Sequence, residues 1–145
     1  MLTGVIPPAF MFLSLGFWGK VFDRIDIVRY RVVTSFCIGL GFLVYGSSSV
    51  FWGAILASVL WGMGRGGGQL AWKIGVLAFC DEKRASSYLG IHTFLTGVRG
   101  VIAPFLGAFA IEQGVAPKTY FLWVSAAVFF SALGTWLWVK PVKSS

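Results

Sequence analysis

The stretch "GMGRGGGQLAWK", residues 62–73, places an arginine, three consecutive glycines and a lysine inside one of the most apolar parts of the chain. Taken alone, Gly62, Gly64 and Gly67 satisfy the G-x-G-x-x-G spacing of a dinucleotide-binding loop. Such a loop needs a strand before it, a helix after it and an acidic residue about 20 positions further on. Here apolar sequence continues on both sides, and Asp81 and Glu82 arrive too early, so the spacing is coincidental.

Outward from this stretch the chain is 57% apolar and 12% charged, with a mean hydropathy of +0.82. Those values lie outside the range of an ordinary soluble domain and predict an all-α integral membrane protein. Runs with little or no charge extend over residues 2–19, 32–47, 50–80, 88–111 and 119–139, and about 20 apolar residues suffice to cross a bilayer core. The expectation is a single transmembrane domain, residues 1–145, built as a bundle of five spanning helices. The second and third runs are divided at Gly46-Ser47-Ser48-Ser49, the one cluster of turn residues between Val32 and Gly64. The third run is longer than a perpendicular crossing needs, so it must tilt, project or break near its glycines.

No basic residue precedes the first run and Lys20 follows it, which argues against a cleavable signal peptide. Cys37 and Cys80 make neither a disulfide framework nor a metal set and are assigned to packing. Five crossings place Lys20, Arg24, Arg29, Arg31, Lys83, Arg84, Lys140 and Lys143 on one side and only Lys118 on the other. Basic loops stay cytoplasmic, which predicts a multi-pass protein of the cytoplasmic membrane with its N-terminus outside and its C-terminus inside. The formal charge of +7 is thereby explained by topology, and a nucleic-acid partner is not expected.

The glycines have a packing explanation, since Gly62 with Gly66 and Gly64 with Gly68 form small-xxx-small pairs that admit another helix. Packing does not explain Arg65 or Lys73. A charge near the bilayer centre costs at least about 2.5–3.5 kcal/mol and normally faces a partner or water. Arg65, Gln69, Trp72 and Lys73 share one helix face by their spacing. Lys73, near the end of its run, has snorkelling as an alternative; Arg65, in the middle, has much less scope for it. The fourth run repeats the pattern with His92, Thr96, Arg99 and Ala103. His92 near its start also fits a hydrogen-bonded interfacial histidine. Pro104, with Gly97, Gly100 and Gly107 around it, marks a kink or a close contact.

The loop "GKVFDRIDIVRYR", residues 19–31, resembles the G-x-x-x-D-R-x-G-[RK]-[RK] loop of the major facilitator superfamily, with Gly19, Asp23 and Arg24 in register. Asp26, Ile27 and Val28 stand where that family has a glycine and two basic residues, and Arg29 and Arg31 lie downstream. Arg65 with Gly66, Gly67 and Gly68 is similar to the family's intramembrane R-x-x-x-G element, displaced by one position. "GVIAPFLG", residues 100–107, is similar to its G-P-x-x-G element, with Ala103 replacing the glycine.

The resemblance implies part of a twelve-helix fold of two parallel halves with the substrate site between them. Five spans match either the last five helices or the second to sixth of the first half, and the basic tail favours the last five. The implied function is secondary-active transport of a small solute by alternating access, with no cofactor, no metal and no covalent chemistry. Asp23 and Arg24 would latch the cytoplasmic side, and Arg65 would bind an anionic group or act on a nearby acid of an absent helix. The spans contain no carboxylate of their own, so a proton-coupling acid would have to come from the missing helices. A small membrane scaffold or assembly subunit, with lipid and partner helices as its contacts, is the alternative. An enzyme is not expected, because no nucleophile, ligand set or second histidine accompanies His92 with Asp81 or Glu82.

Overall fold

Among the described residues, four helices are long and apolar enough to cross a membrane, over Gly4–Phe22, Ile27–Ser47, Ser86–Glu112 and Pro117–Trp138. They belong to a computed structural model that describes residues 2–74 and 85–139. Every regular element among the described residues is a helix: α1 (Leu2–Phe22), α2 (Ile27–Ser47), α3 (Phe51–Ile74), α4 (Ala85–Glu112) and α5 (Pro117–Trp138). The architecture is all-α and compatible with a membrane-embedded protein. Helix α3 is the exception to the apolar rule, because Arg65, Gln69, Lys73 and its glycines dilute its hydropathy. Its 24 residues still reach about 36 Å at ~1.5 Å per residue, the length of a bilayer crossing.

The helix limits depart from the charge-free runs where capping chemistry overrides hydropathy. Helix α2 starts at Ile27, ahead of the expected Val32, because the Asp26 carboxylate accepts the N–H groups of Val28 and Arg29, both at 3.1 Å. Arg29 and Arg31 are therefore helical residues and not loop residues. Helix α1 runs on to Phe22, and α4 begins at Ala85. The expected third span to Cys80 is described only as far as Ile74, and Cys80, Asp81, Glu82, Lys83 and Arg84 lie outside the described residues, as do Lys140 and Lys143. Between α4 and α5 the chain turns at Gly114, whose φ of +84° suits glycine. There Val115 N–H donates to Ala110 C=O and Gly114 N–H to Ile111 C=O, a Schellman closure, and Pro117 opens α5.

Helix α3 lies between α1 and α2, and α2 packs its other side on α5. Helices α1 and α2 meet chiefly around the edge-on rings of Trp18, Phe22 and Tyr30, whose centroids are 5.0–5.5 Å apart. The buried core gathers there, with Trp18, Ile27, Val28, Tyr30 and Ala71. Helix α4 is held loosely, touching α5 lightly and presenting nearly all its side chains outward. At one end of the bundle the Lys118 ammonium donates to Ser49 Oγ, joining the α2–α3 turn to the start of α5. At the other end the Arg29 guanidinium stands 6.0 Å over the Trp136 ring, joining the start of α2 to the end of α5.

Candidate functional site

Glycines let α3 be gripped on two sides. A Cβ on Gly62 would lie 2.5 Å from the Pro7 carbonyl oxygen, and one on Gly66 would lie 2.6 Å from Ser14 Oγ, so both face α1. A Cβ on Gly64 would meet Ile38 at 2.7 Å, and one on Gly67 would meet Thr34 at 2.5 Å and the Trp18 ring at 2.8 Å. Gly62 and Gly66 thus form the expected pair, while Gly64 is partnered by Gly67 and not by Gly68, which faces open space. Gly67 sits where both neighbours converge, its Cβ position meeting Thr34 of α2 and Trp18 of α1.

Two side chains fasten this seam. Trp18 Nε1–H donates to the Met63 carbonyl at 2.8 Å, and the Tyr30 hydroxyl donates to the Gly67 carbonyl at 3.1 Å. The acceptors are one turn apart on α3. The same device recurs between α5 and α2, where the buried Ser125 hydroxyl donates to the Gly39 carbonyl at 2.9 Å. A Cβ on Gly39 would lie 2.8 Å from the Phe129 ring. Trp18, Tyr30 and Ser125 were not legible as contacts, since each lies in an apolar or basic run with no periodic signal to single it out.

The remaining face of α3 carries its polar residues. Arg65 is exposed, and its guanidinium lies 5.1 Å from the centroid of the Trp61 ring one turn earlier, within cation–π range. Gln69 and Trp72 are half-buried on the same side, and Lys73 is exposed near the helix end. Among the described residues the ion pair is Asp26 with Arg29 at 3.1 Å, so no described carboxylate meets Arg65. Seam and charged face are thus separate sides of one helix.

One contact connects the two polar stripes. Trp72 Nε1–H donates to His92 Nδ1, with ring centroids 5.6 Å apart. Thr96 turns its hydroxyl back onto the His92 carbonyl at 2.9 Å. Arg99 is exposed, as are Ala103 and Pro104, and α4 continues through Pro104 without interruption. A Cβ on Gly100 would meet nothing within 4 Å, whereas one on Gly107 would lie 3.2 Å from the Tyr120 hydroxyl. Of the two glycines flanking Pro104, only Gly107 marks a contact.

In the loop after α1, Asp23 and Arg24 are exposed, and their backbone N–H groups close the helix end on Gly19 and Val21. Gly19 itself faces open space. Asp26, at the position of the family's glycine, is the residue with a structural task, capping α2 and pairing with Arg29. Among the described residues no three of His, Cys, Asp and Glu come together as a metal set.

Compared with known protein families, with curated proteins and with solved structures, the chain matches none. The class that its architecture defines is therefore the coarse one: among the described residues, an all-helical fold with four membrane-compatible helices and a charged helix packed among them.

Proposed function

We propose that the chain is part of a secondary-active transporter of the major facilitator type, moving a small solute across the cytoplasmic membrane by alternating access. The observation that carries this is the division of α3 into two gripped faces and one open, charged face. A glycine-lined helix fastened by Trp18 and Tyr30 holds Arg65 away from α1 and α2. A guanidinium in a span needs water, an anion or a carboxylate opposite it. In this proposal α3, the third of the five helices, also spans the membrane, and its open face lines the pathway that the remaining helices of the transporter close.

The Arg65 fork is suited to a carboxylate or phosphate on the solute, or to a carboxylate on a helix outside this chain. Trp72 and His92 border the same path, with Thr96 and Arg99 further along α4, while Asp23 and Arg24 act at the cytoplasmic turn during rocking. The five helices correspond to the last five of about twelve, with the N-terminus outside. The resemblance of residues 19–31 and 100–107 to family elements supports this.

Uptake by the reconstituted full-length protein is the test. Solute accumulation that is lost in Arg65→Ala, with protein level in the membrane unchanged, supports transport. Absence of uptake, with Arg65→Ala instead disrupting a stable complex, would favour the scaffold, whose motivating observation is the loosely held, outward-facing α4.

A further inference from the structure

A small open cleft of about 160 Å³ lies between the first turns of α2 and the last turns of α5. Arg31 and Ser35 line it from α2, and Ser131 and Thr135 from α5, each pair four residues apart on its own helix. Val28 and Ala132, both buried, form part of its apolar wall. Thr135 uses its hydrogen on the Ser131 carbonyl at 2.9 Å. Arg31 and the hydroxyls of Ser35 and Ser131 remain as the cleft's donors.

The charges around the cleft are unbalanced. The nearby Asp26 carboxylate is committed to the α2 N-terminus and to Arg29 at 3.1 Å, so no described carboxylate neutralises Arg31. The Arg31 guanidinium with serine hydroxyls over an apolar wall calls for an anion, and a guanidinium fork fits the geometry of a phosphate. The cleft of about 160 Å³ has room for a phosphate-sized group.

Depth selects the source of that phosphate. Trp136 and Trp138 stand 53% and 89% exposed on the last turn of α5, and tryptophans of this kind sit at the headgroup level of a bilayer. Arg29 over Trp136 puts the first turn of α2 at the same level. We infer that the α2–α5 cleft seats the phosphate of an anionic phospholipid, gripped by Arg31 and flanked by Ser35 and Ser131. This rests on the chain lying in a membrane and not on its transporting anything.

The test uses the full chain, purified in mild detergent with phosphatidylglycerol or phosphatidylcholine, with retained lipid counted by native mass spectrometry. Wild type retains phosphatidylglycerol selectively. Arg31→Gln lowers that retention about tenfold, as loss of a charged hydrogen-bonding group predicts. Arg31→Lys and Ser131→Ala lower it less, and both report on the cleft should Arg31→Gln fail to fold. Arg24→Gln, in the exposed loop, leaves retention unchanged. Equal retention by wild type, Arg31→Lys and Ser131→Ala would overturn the assignment. So would an equal loss in Arg24→Gln, which would mean diffuse surface charge. Displacement of the lipid by millimolar inorganic phosphate would make the occupant a soluble phosphate and overturn the lipid assignment.

Discussion

The Tyr30 hydroxyl reaches across from α2 and donates to the backbone carbonyl of Gly67 at 3.1 Å, with the tyrosine side chain fully enclosed. Only a residue without a Cβ lets α2 come this close, and the tyrosine hydroxyl gives that buried carbonyl a second partner. Removing the hydroxyl in Tyr30→Phe is expected to destabilise the bundle by about 0.6 kcal/mol, and by no more than about 1.7 kcal/mol, the range for interhelical bonds in membrane proteins. Equilibrium unfolding in detergent measures it; no change in midpoint would mean the bond contributes nothing.

The neighbouring glycines separate packing from sequence pattern. Gly67→Ala drives a methyl to 2.5 Å from Thr34 and 2.8 Å from Trp18 and is expected to cost about 1–3 kcal/mol. Gly68→Ala meets nothing within 4 Å and is expected to be neutral or to gain up to about 1 kcal/mol of helix preference. Equal effects of the two substitutions on the unfolding midpoint would contradict the seam.

In the loop after α1, stability and activity are expected to divide between two aspartates. Asp26→Ala removes the cap of α2 and its pair with Arg29, and is expected to lower stability by about 1 kcal/mol. Asp23→Asn alters an exposed side chain and should leave unfolding unchanged while, under the proposed transport function, reducing uptake by the full-length protein. Unchanged uptake in Asp23→Asn would show that the loop resemblance carries no mechanism.

The crossing of α3 can be tested by labelling. Cysteines placed singly at Ser48, before α3, and at Ser86, early in α4, should react with impermeant reagent from opposite sides of the membrane, Ser48 from outside. Labelling of both from one side would mean that α3 crosses twice or not at all.

Much of this architecture was legible because apolar run length is a one-dimensional property: five runs gave five helices, and the serine cluster at residues 47–49 marked the break between α2 and α3. The limits were less legible, since a single capping carboxylate at Asp26 extends α2 past two arginines that hydropathy assigns to a loop. The glycines of α3 announced close contact, but the sequence could not say which helix each one admits, nor that Trp18, Tyr30 and Ser125 bind backbone carbonyls. Those are relationships between helices, set by crossing geometry. The shared face of Arg65, Gln69 and Trp72 followed from the 3.6-residue period, whereas the meeting of Trp72 with His92 depends on how α4 is laid against α3.

Thiol accessibility along α3 tests most directly whether its charged face borders water. In a background with Cys37→Ser and Cys80→Ser, Gln69→Cys is expected to react with a membrane-impermeant thiol reagent. Phe105→Cys, 72% exposed on the apolar side of α4, is expected to be inert because that side faces lipid. Reaction at Gln69→Cys alone is the predicted result. If Gln69→Cys proved as inert as Phe105→Cys in the folded, membrane-inserted protein, the face carrying Arg65 would not border water, and it would not be a transport pathway.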